Sequence, residues 1–370
     1  MKPANCLFPL FIVALLSSGC NKHEGPGTSD LTLNKETLSL AVGEQAQLTV
    51  QGADAVSWTS DLPEVAAVDN KGQVSALSAG QARITASAQG RSAVCVVTAF
   101  RREEYTASSA EELAEAVAKA QGTEEHPARI VLTGDITINN TGEEQMPVVI
   151  GDDAGAAAKY ICLDGDGHYR ISAIGWGATM LKVTSGSRLI LQNITLDGGG
   201  ITSVHPIISV QDAELVLAEG AELCNLKNSL SLDYYGSINL EGRSVATLKT
   251  DSAIRDIEGV AVFVDAVSAH ARIEGGTVAK CGVSAFLLYR SNPRDNVPLL
   301  IGELPEEAGN LSLSMILDPR NGRHPVARGL GETVLQPENF TLSKIWDHQG
   351  RTIAASLEEN GGVIEISPEQ

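Results

Sequence analysis

The sequence predicts an all-β protein of two unequal parts, a small β-sandwich followed by a longer solenoid of stacked short strands. Three observations predict it. Residues 31–99 carry seven short runs of alternating apolar and polar side chains, punctuated by glycine-bearing turns. From Met180 to Arg290, short apolar strands recur with polar or glycine corners, so that Leu189 of one repeat falls opposite Leu215 of the next. Aromatic residues make up 4% of the 370 while glycine supplies 36, which suits stacked strands and tight turns better than a bulky helical core.

Charge narrows the functional classes. With 46 acidic and 27 basic residues the formal net charge is -19, so the chain lacks the Lys/Arg surface that neutralises phosphates, and nucleic acid is excluded as a partner. An acidic surface otherwise serves solubility and says little about fold.

At the N-terminus, Lys2 is the only charge before Asn21, and Cys6–Leu16 is an apolar run. It is too short for a spanning helix, which needs about 20 residues, but fits the core of a signal peptide. Ser17-Ser-Gly-Cys20 follows. These residues resemble a bacterial lipobox, with serine at position 17 where leucine is usual. The resemblance implies removal of residues 1–19 and lipidation of Cys20, whose acyl chains would tether the protein to a membrane without a spanning helix. Residues 20–30 then read as a lipidated linker, with Gly25-Pro-Gly-Thr-Ser29 as a flexible spacer. Asn21-Lys-His-Glu24 resembles, in a weak version, the acidic export signal of Bacteroidota surface lipoproteins.

Seven strands in the segment 31–99 describe an Ig-like sandwich. Trp58-Thr-Ser-Asp-Leu-Pro-Glu-Val-Ala-Ala-Val68, the Gly72-Gln-Val74 hairpin and Gly80-Gln-Ala-Arg-Ile-Thr85 resemble the bacterial Ig-like domain of group 2. That resemblance implies a β-sandwich found in bacterial surface proteins as a spacer or adhesion module, with Trp58 in its core.

Residues 104–290 begin with a short helix. Ser109-Ala-Glu-Glu112 has capping-box spacing, and Leu113, Ala116, Val117 and Ala120 share one helical face before Gly122. The strand Ala128–Ile138 follows, then a polar, glycine-rich stretch from Asn139 to Lys159 that reads as a loop, then strands again from Tyr160. The helix, the Ile130-Val-Leu-Thr-Gly-Asp-Ile-Thr-Ile138 strand and the repeats at Leu189–Gly198, Ala213–Leu223 and Ala271–Val278 resemble the pectin-lyase-like class of right-handed parallel β-helices. The resemblance implies that the helix plugs the open first coil. It implies little about activity, since the class hosts lyases, hydrolases and adhesins. After Pro293 the pattern changes, and residues 291–370 read as a C-terminal antiparallel β module capping the last coil.

Candidate chemistry is sparse. In Asp164-Gly-Asp-Gly-His-Tyr-Arg170, Asp164 and Asp166 offer hard oxygen ligands for Ca²⁺ and Arg170 a base for β-elimination. The same residues suit a tight turn, because glycine takes positive φ and aspartate bonds its own backbone. Carboxylates for glycoside hydrolysis must face each other across about 5–9.5 Å. Asp197, Asp212, Asp233, Asp251 and Asp256 offer so many pairs that none stands out, and Gly151-Asp-Asp153 lies outside the regular coils. Tyr169, Trp176, Tyr234 and Tyr235 are candidate rings for stacking on sugars or anchoring a protein. Cys95, Cys162, Cys224 and Cys281 lack metal-ligand spacing and read as small buried hydrophobes.

No cofactor is implied beyond the Ca²⁺ alternative, and no residue set signs for a catalyst. The reading is an outer-membrane lipoprotein at the bacterial cell surface, resembling Bacteroidota adhesin-like lipoproteins. Its solenoid would act as a non-catalytic module binding an extracellular glycan or a host or matrix protein. The alternatives are a polysaccharide lyase or glycoside hydrolase acting on acidic glycans, and a structural component of a larger surface complex.

Overall fold

The computed structural model describes residues 31–140, 147–151, 157–175, 179–200, 202–203, 205–228, 236–265, 267–289, 296–304, 311–317, 322–347 and 349–369. The protein is all-β with about 4% helix, in two compact units that meet in sequence at Arg101 and Arg102.

The first unit is the Ig-like sandwich. A four-stranded sheet orders Thr37–Ala41, Arg91–Phe100, Gly80–Ala88 and Ser57–Ser60, and a three-stranded sheet orders Gln45–Gln47, Gln73–Ala76 and Ala66–Val68. Alternation puts Leu40, Val74, Ile84, Cys95 and Val97 inside. Trp58 packs against this core as expected. Its indole lies over the turn at Gly72, where φ is +83° and an added Cβ would come within 2.7 Å of the ring. Only glycine fits there.

The second unit is a parallel β-solenoid of about seven turns. Each full coil contributes one strand to each of three sheets. The third coil, for example, supplies Arg188–Gln192, Thr195–Asp197 and Ile208–Gln211. Stacking is in register: in the first sheet Ile130, Leu163, Leu191, Leu217, Leu248, Ile273 and Ile301 form one inward ladder. None of them is more than 2% exposed. Burying each such side chain contributes about 1.5–3 kcal/mol, and no coil can do so without its neighbours. Leu189 does pair with Leu215.

The coil ends need covering, and the N-terminal one is closed by α1 (Ala110–Lys119). Leu113, Ala116 and Val117 are buried, and α1 lies against the strands Glu104–Ala107 and Val148–Ile150. Ser109 Oγ accepts the Glu112 N–H at 3.2 Å. The Glu112 carboxylate, however, reaches back one residue further than a capping box requires, accepting from both the N–H and the hydroxyl of Ser108 at 2.8 Å. These bonds hold the Glu112 carboxyl below the usual range. At the other end of α1, Lys159 donates to the carbonyls of Val117, Ala118 and Ala120 at 2.6, 2.9 and 2.9 Å. One ammonium from the second coil thus serves the carbonyls a helix end leaves unpaired.

Two expectations need correction. The stretch from Asn139 to Lys159 is not simply a loop, because Val148–Ile150 is the first strand of the third sheet, paired with Leu181–Val183. The solenoid also runs past residue 290. Leu299–Glu303 and His324–Gly329 extend the first sheet in parallel, and Leu311–Ile316 and Phe340–Trp346 extend the third. Among the described residues of this segment the antiparallel part is the bridge Trp346–Thr352 and the strands Ala355–Asn360 and Val363–Pro368, which pair with each other and close the first sheet against His324–Arg328. Inward columns such as Phe286, Leu313 and Leu342 persist through this segment, whereas the changed corner lengths hide the period in the sequence.

Replacing Lys159 with Met leaves three helix-end carbonyls without their charged donor. The expected loss is about 1–3 kcal/mol in the unfolding transition of the second unit, measured by urea denaturation, with the Ig-like transition unchanged.

Candidate functional site: a recess at the corner of the coils

The corner between the first and second sheets varies in length from coil to coil. It has five residues in the second coil (165–169), two in the third (193–194) and four in the fourth (218–221). The short corner lies low between two taller ones. The result is a recess of about 330 Å³ walled by Gly167, His168, Tyr169 and Arg170, floored by Asn193, Ile194 and Thr195, and closed by Gly220.

Backbone bonds clamp these corners onto each other. Gly167 N–H donates to Asn193 C=O at 3.0 Å, Asn193 N–H to Glu219 C=O at 2.9 Å, and Gly220 N–H to Asp251 C=O at 3.0 Å. Asn193 takes a left-handed φ of +49°, which Asn tolerates better than most residues. Approach is close enough that a Cβ on Gly165 would stand 2.5 Å from Asn193 O, and one on Gly220 2.8 Å from Asn193 Oδ1.

The predicted site residues divide sharply. Asp164 is 3% exposed. Its Oδ2 accepts from Arg129 Nε and Nη2 at 3.2 and 2.9 Å, and its Oδ1 from the Asp166 N–H at 2.8 Å. Both oxygens are engaged in holding the corner, the turn chemistry weighed for this motif. Asp166 is exposed at φ +53° in that turn. Arg170 reaches outward with its side chain 53% exposed and Nη1 at 3.7 Å from Asp197 Oδ2, while its backbone N–H donates to Asp135 Oδ1 at 3.0 Å. Tyr169 is half-buried against the solenoid core, with His168 edge-on to its ring at 6.4 Å. Tyr169 and Arg170 therefore share the recess, and Asp164 turns away beneath it. Trp176, Tyr234, Tyr235 and Asp233 lie outside the described residues, as do Cys20 and Asp152-Asp153.

Asp197, Asp212, Asp256 and Glu274 have partners of their own elsewhere on the coils. Asp197 accepts from Gly199 N–H at 2.8 Å and Asn225 Nδ2 at 2.9 Å, and Asp212 from Arg243 N–H at 3.0 Å. Arg255, and then Lys280, hold Asp256 below the ordinary carboxylate range. Lys249, backed by Arg272, does the same for Glu274. Among the described residues no three His, Cys, Asp or Glu side chains form a metal-sized cluster. A second hollow, between the strand Glu104–Ala107 and α1, is lined by Glu104, Glu112 and Glu115, and its one ammonium, Lys119, is paired with Glu115 at 3.1 Å.

Among the described residues, Cys95, Cys162, Cys224 and Cys281 are free. Burial pushes the thiols of Cys162 and Cys224 up to about 11 and that of Cys281 to about 12, and also raises Cys95. They are packing groups rather than nucleophiles.

His168, Asn193, Thr195 and Gly220 were not singled out by motif reading. Their signal was the unequal spacing between neighbouring strands, which becomes visible once strand ends are known.

Residues 28–97 match the bacterial Ig-like domain (group 2) family, whose members occur in extracellular bacterial proteins. No curated protein is matched by the chain. Among the described residues no helix is long and apolar enough to cross a membrane.

Replacing Asp164 with Ala strands Arg129. Because the Arg129 side chain is 43% exposed, the expected loss is about 1–3 kcal/mol rather than the larger cost of a fully buried pair, read by thermal unfolding. Asp166→Asn, by contrast, stays within about 0.5 kcal/mol. For the thiols, an ordinary value of 9.0 raised to about 11 lowers the thiolate fraction at pH 8 from about 10% to about 0.1%. Cys162 and Cys224 should therefore be alkylated by iodoacetamide about a hundredfold more slowly in the folded chain than in urea, as followed by mass spectrometry. The folded state holds these protons more tightly than the unfolded state. Stability present below pH 9 is therefore lost as pH rises towards about 11.

Proposed function

We propose that this chain is a lipid-anchored, non-catalytic binding module of the bacterial cell surface, in which the solenoid carries the ligand-binding surface. The observation that carries the reading is the pairing of an Ig-like unit of an extracellular family with a solenoid whose best catalytic candidate, Asp164, has both oxygens engaged in structure. A general acid or base needs an oxygen facing substrate. Asp164 instead ties Arg129 to the corner.

The anchor rests on Ser17-Ser-Gly-Cys20 after the apolar run Cys6–Leu16. In chain order the lipid comes first, then the spacer, the Ig-like module and the solenoid. An acyl anchor with a polar spacer supports attachment to the outer membrane without a spanning segment, and the ligand is then a glycan or protein outside the cell.

Two measurements test the proposal. In a Gram-negative host the wild-type chain should incorporate labelled fatty acid and fractionate with outer membrane, whereas Cys20→Ala should do neither. Unchanged membrane fractionation of Cys20→Ala would refute the anchor. The purified chain should bind members of a glycan and matrix-protein array without consuming any polysaccharide offered. Turnover that disappears in Asp164→Asn while the fold is retained would replace the binding reading with an enzymatic one.

A further inference from the structure

We infer that the open edge of the first sheet, at the strand Glu104–Ala107 beside α1, docks an extended basic peptide segment of a partner protein. The segment would add to the sheet as one more strand. This surface is separate from the coil-corner recess and from the anchor, so the outcome of those measurements does not bear on it.

The edge is left open by the ladder itself. Glu104–Ala107 pairs with Ala128–Leu132 on one side, and among the described residues no strand pairs with it on the other. Glu103 C=O accepts from Arg129 N–H at 2.8 Å, and Ala107 C=O from Thr133 N–H at 2.9 Å. Alternate residues of a parallel strand face the same neighbour, so Glu103, Tyr105 and Ala107 spend their backbone groups on that pairing. The N–H and C=O of Glu104 and Thr106 point the other way, and among the described residues no backbone bond meets them. Both residues are exposed. A row of unpaired backbone groups is a template for a further strand.

α1 covers the apolar end of the coil but cannot satisfy this row, because its own backbone bonds run along the helix. It stands off instead, leaving a hollow of about 460 Å³ between its Glu112, Glu115, Ala116 and Lys119 and the strand. The four-residue strand spans about 13 Å at roughly 3.3 Å per residue. Along the facing helix, Glu112 to Lys119 covers about 10 Å at roughly 1.5 Å per residue. The slot therefore holds about four extended residues, which bind through main-chain bonds on one side.

Charge selects the occupant. Three carboxylates and one ammonium line the hollow. Glu112 is held by neutral groups, the N–H and hydroxyl of Ser108, which leave its charge uncancelled. Glu115 pairs with Lys119 at 3.1 Å and Glu104 with Arg129 at 3.5 Å. Both pairs are solvent-exposed and correspondingly weak, so an incoming Lys or Arg can compete for their carboxylates. Because strand side chains alternate, basic residues on one face of the segment meet these groups while small apolar ones on the other meet Tyr105 and Ala116. A second copy docking edge to edge would instead bring like charges together.

The test is a fluorescence-anisotropy titration of the purified chain with a labelled octapeptide of alternating lysine and valine. One comparison peptide carries glutamate in place of lysine, and another keeps lysine but is N-methylated at its central amides. The lysine peptide is expected to bind, more weakly as salt is raised. N-methylation should weaken binding about tenfold or more, since charge is kept while main-chain donors are lost. Thr106→Pro removes an N–H that the ladder does not use and should weaken binding to a similar extent. Glu104→Gln combined with Glu115→Gln should lower both the affinity and its salt dependence. Thermal unfolding of each variant checks that the solenoid is intact; if Thr106→Pro fails to fold, the N-methylated peptide alone decides. No binding of the lysine peptide, equal binding of either comparison peptide, or binding untouched by Thr106→Pro in a folded chain would each overturn the inference. So would a dimer in sedimentation that Thr106→Pro disperses, because the edge would then belong to a second copy.

Discussion

A parallel solenoid depends on register, because each coil has an open apolar ring above and below it and only an in-register neighbour can cover both. The column Leu163, Leu191, Leu217, Leu248 shows the constraint in its simplest form. A slip of one residue would exchange these side chains for the outward Asp164, Gln192 and Lys249 positions, so the period-2 alternation of each strand locks the stack as a whole. Nothing inside the repeat, however, closes its ends. The first coil meets this need with α1, whose own carbonyl end is served by Lys159 from the second coil. The last meets it with an antiparallel hairpin that turns the first sheet back on itself.

Once the strands are committed to stacking, variation is confined to the outward side chains and the corners. Outward charges largely pair along the sheet faces: Arg188 with Glu214, Arg255 with Asp256 and Glu222, Lys249 and Arg272 with Glu274. Corners are freer, since a coil can turn in two residues or in five without disturbing its ladders. A short corner between long ones leaves a hollow whose walls are whatever the long corners carry. That is how Tyr169 and Arg170 come to share a recess while Asp164, at the end of the preceding strand, is drawn into structure.

Much of this was legible in the residues. The alternating runs of 31–99, the capping signal at Ser109 and the Leu189–Leu215 spacing each reflect local chemistry that repeats at a fixed interval. Strands without a period of their own are harder to see. Val148–Ile150 is invisible within the Asn139–Lys159 stretch because three residues with polar flanks carry no period of their own. The coils beyond Pro293 look like a separate module in the residues because their corners lengthen, although Leu299 and Leu313 remain in register with Ala271 and Phe286. Of the Ser109 capping box only the Ser109 half forms, since the choice of Ser108 as partner for Glu112 depends on how the chain enters the helix.

The sequence by itself determined the class of architecture, its two parts and the inward faces, because each follows from alternation and turn chemistry acting over a few residues. Only the tertiary structure decided which polar groups are spent and which are available. Asp164 and Arg170 belong to one short motif and look equally chemical as letters. Arg129, 35 residues before Asp164, takes up its carboxylate, and the two-residue corner of the next coil opens the space beside Arg170. Both outcomes are set by neighbours one coil away, and coil-to-coil proximity is a property of the stack rather than of the motif.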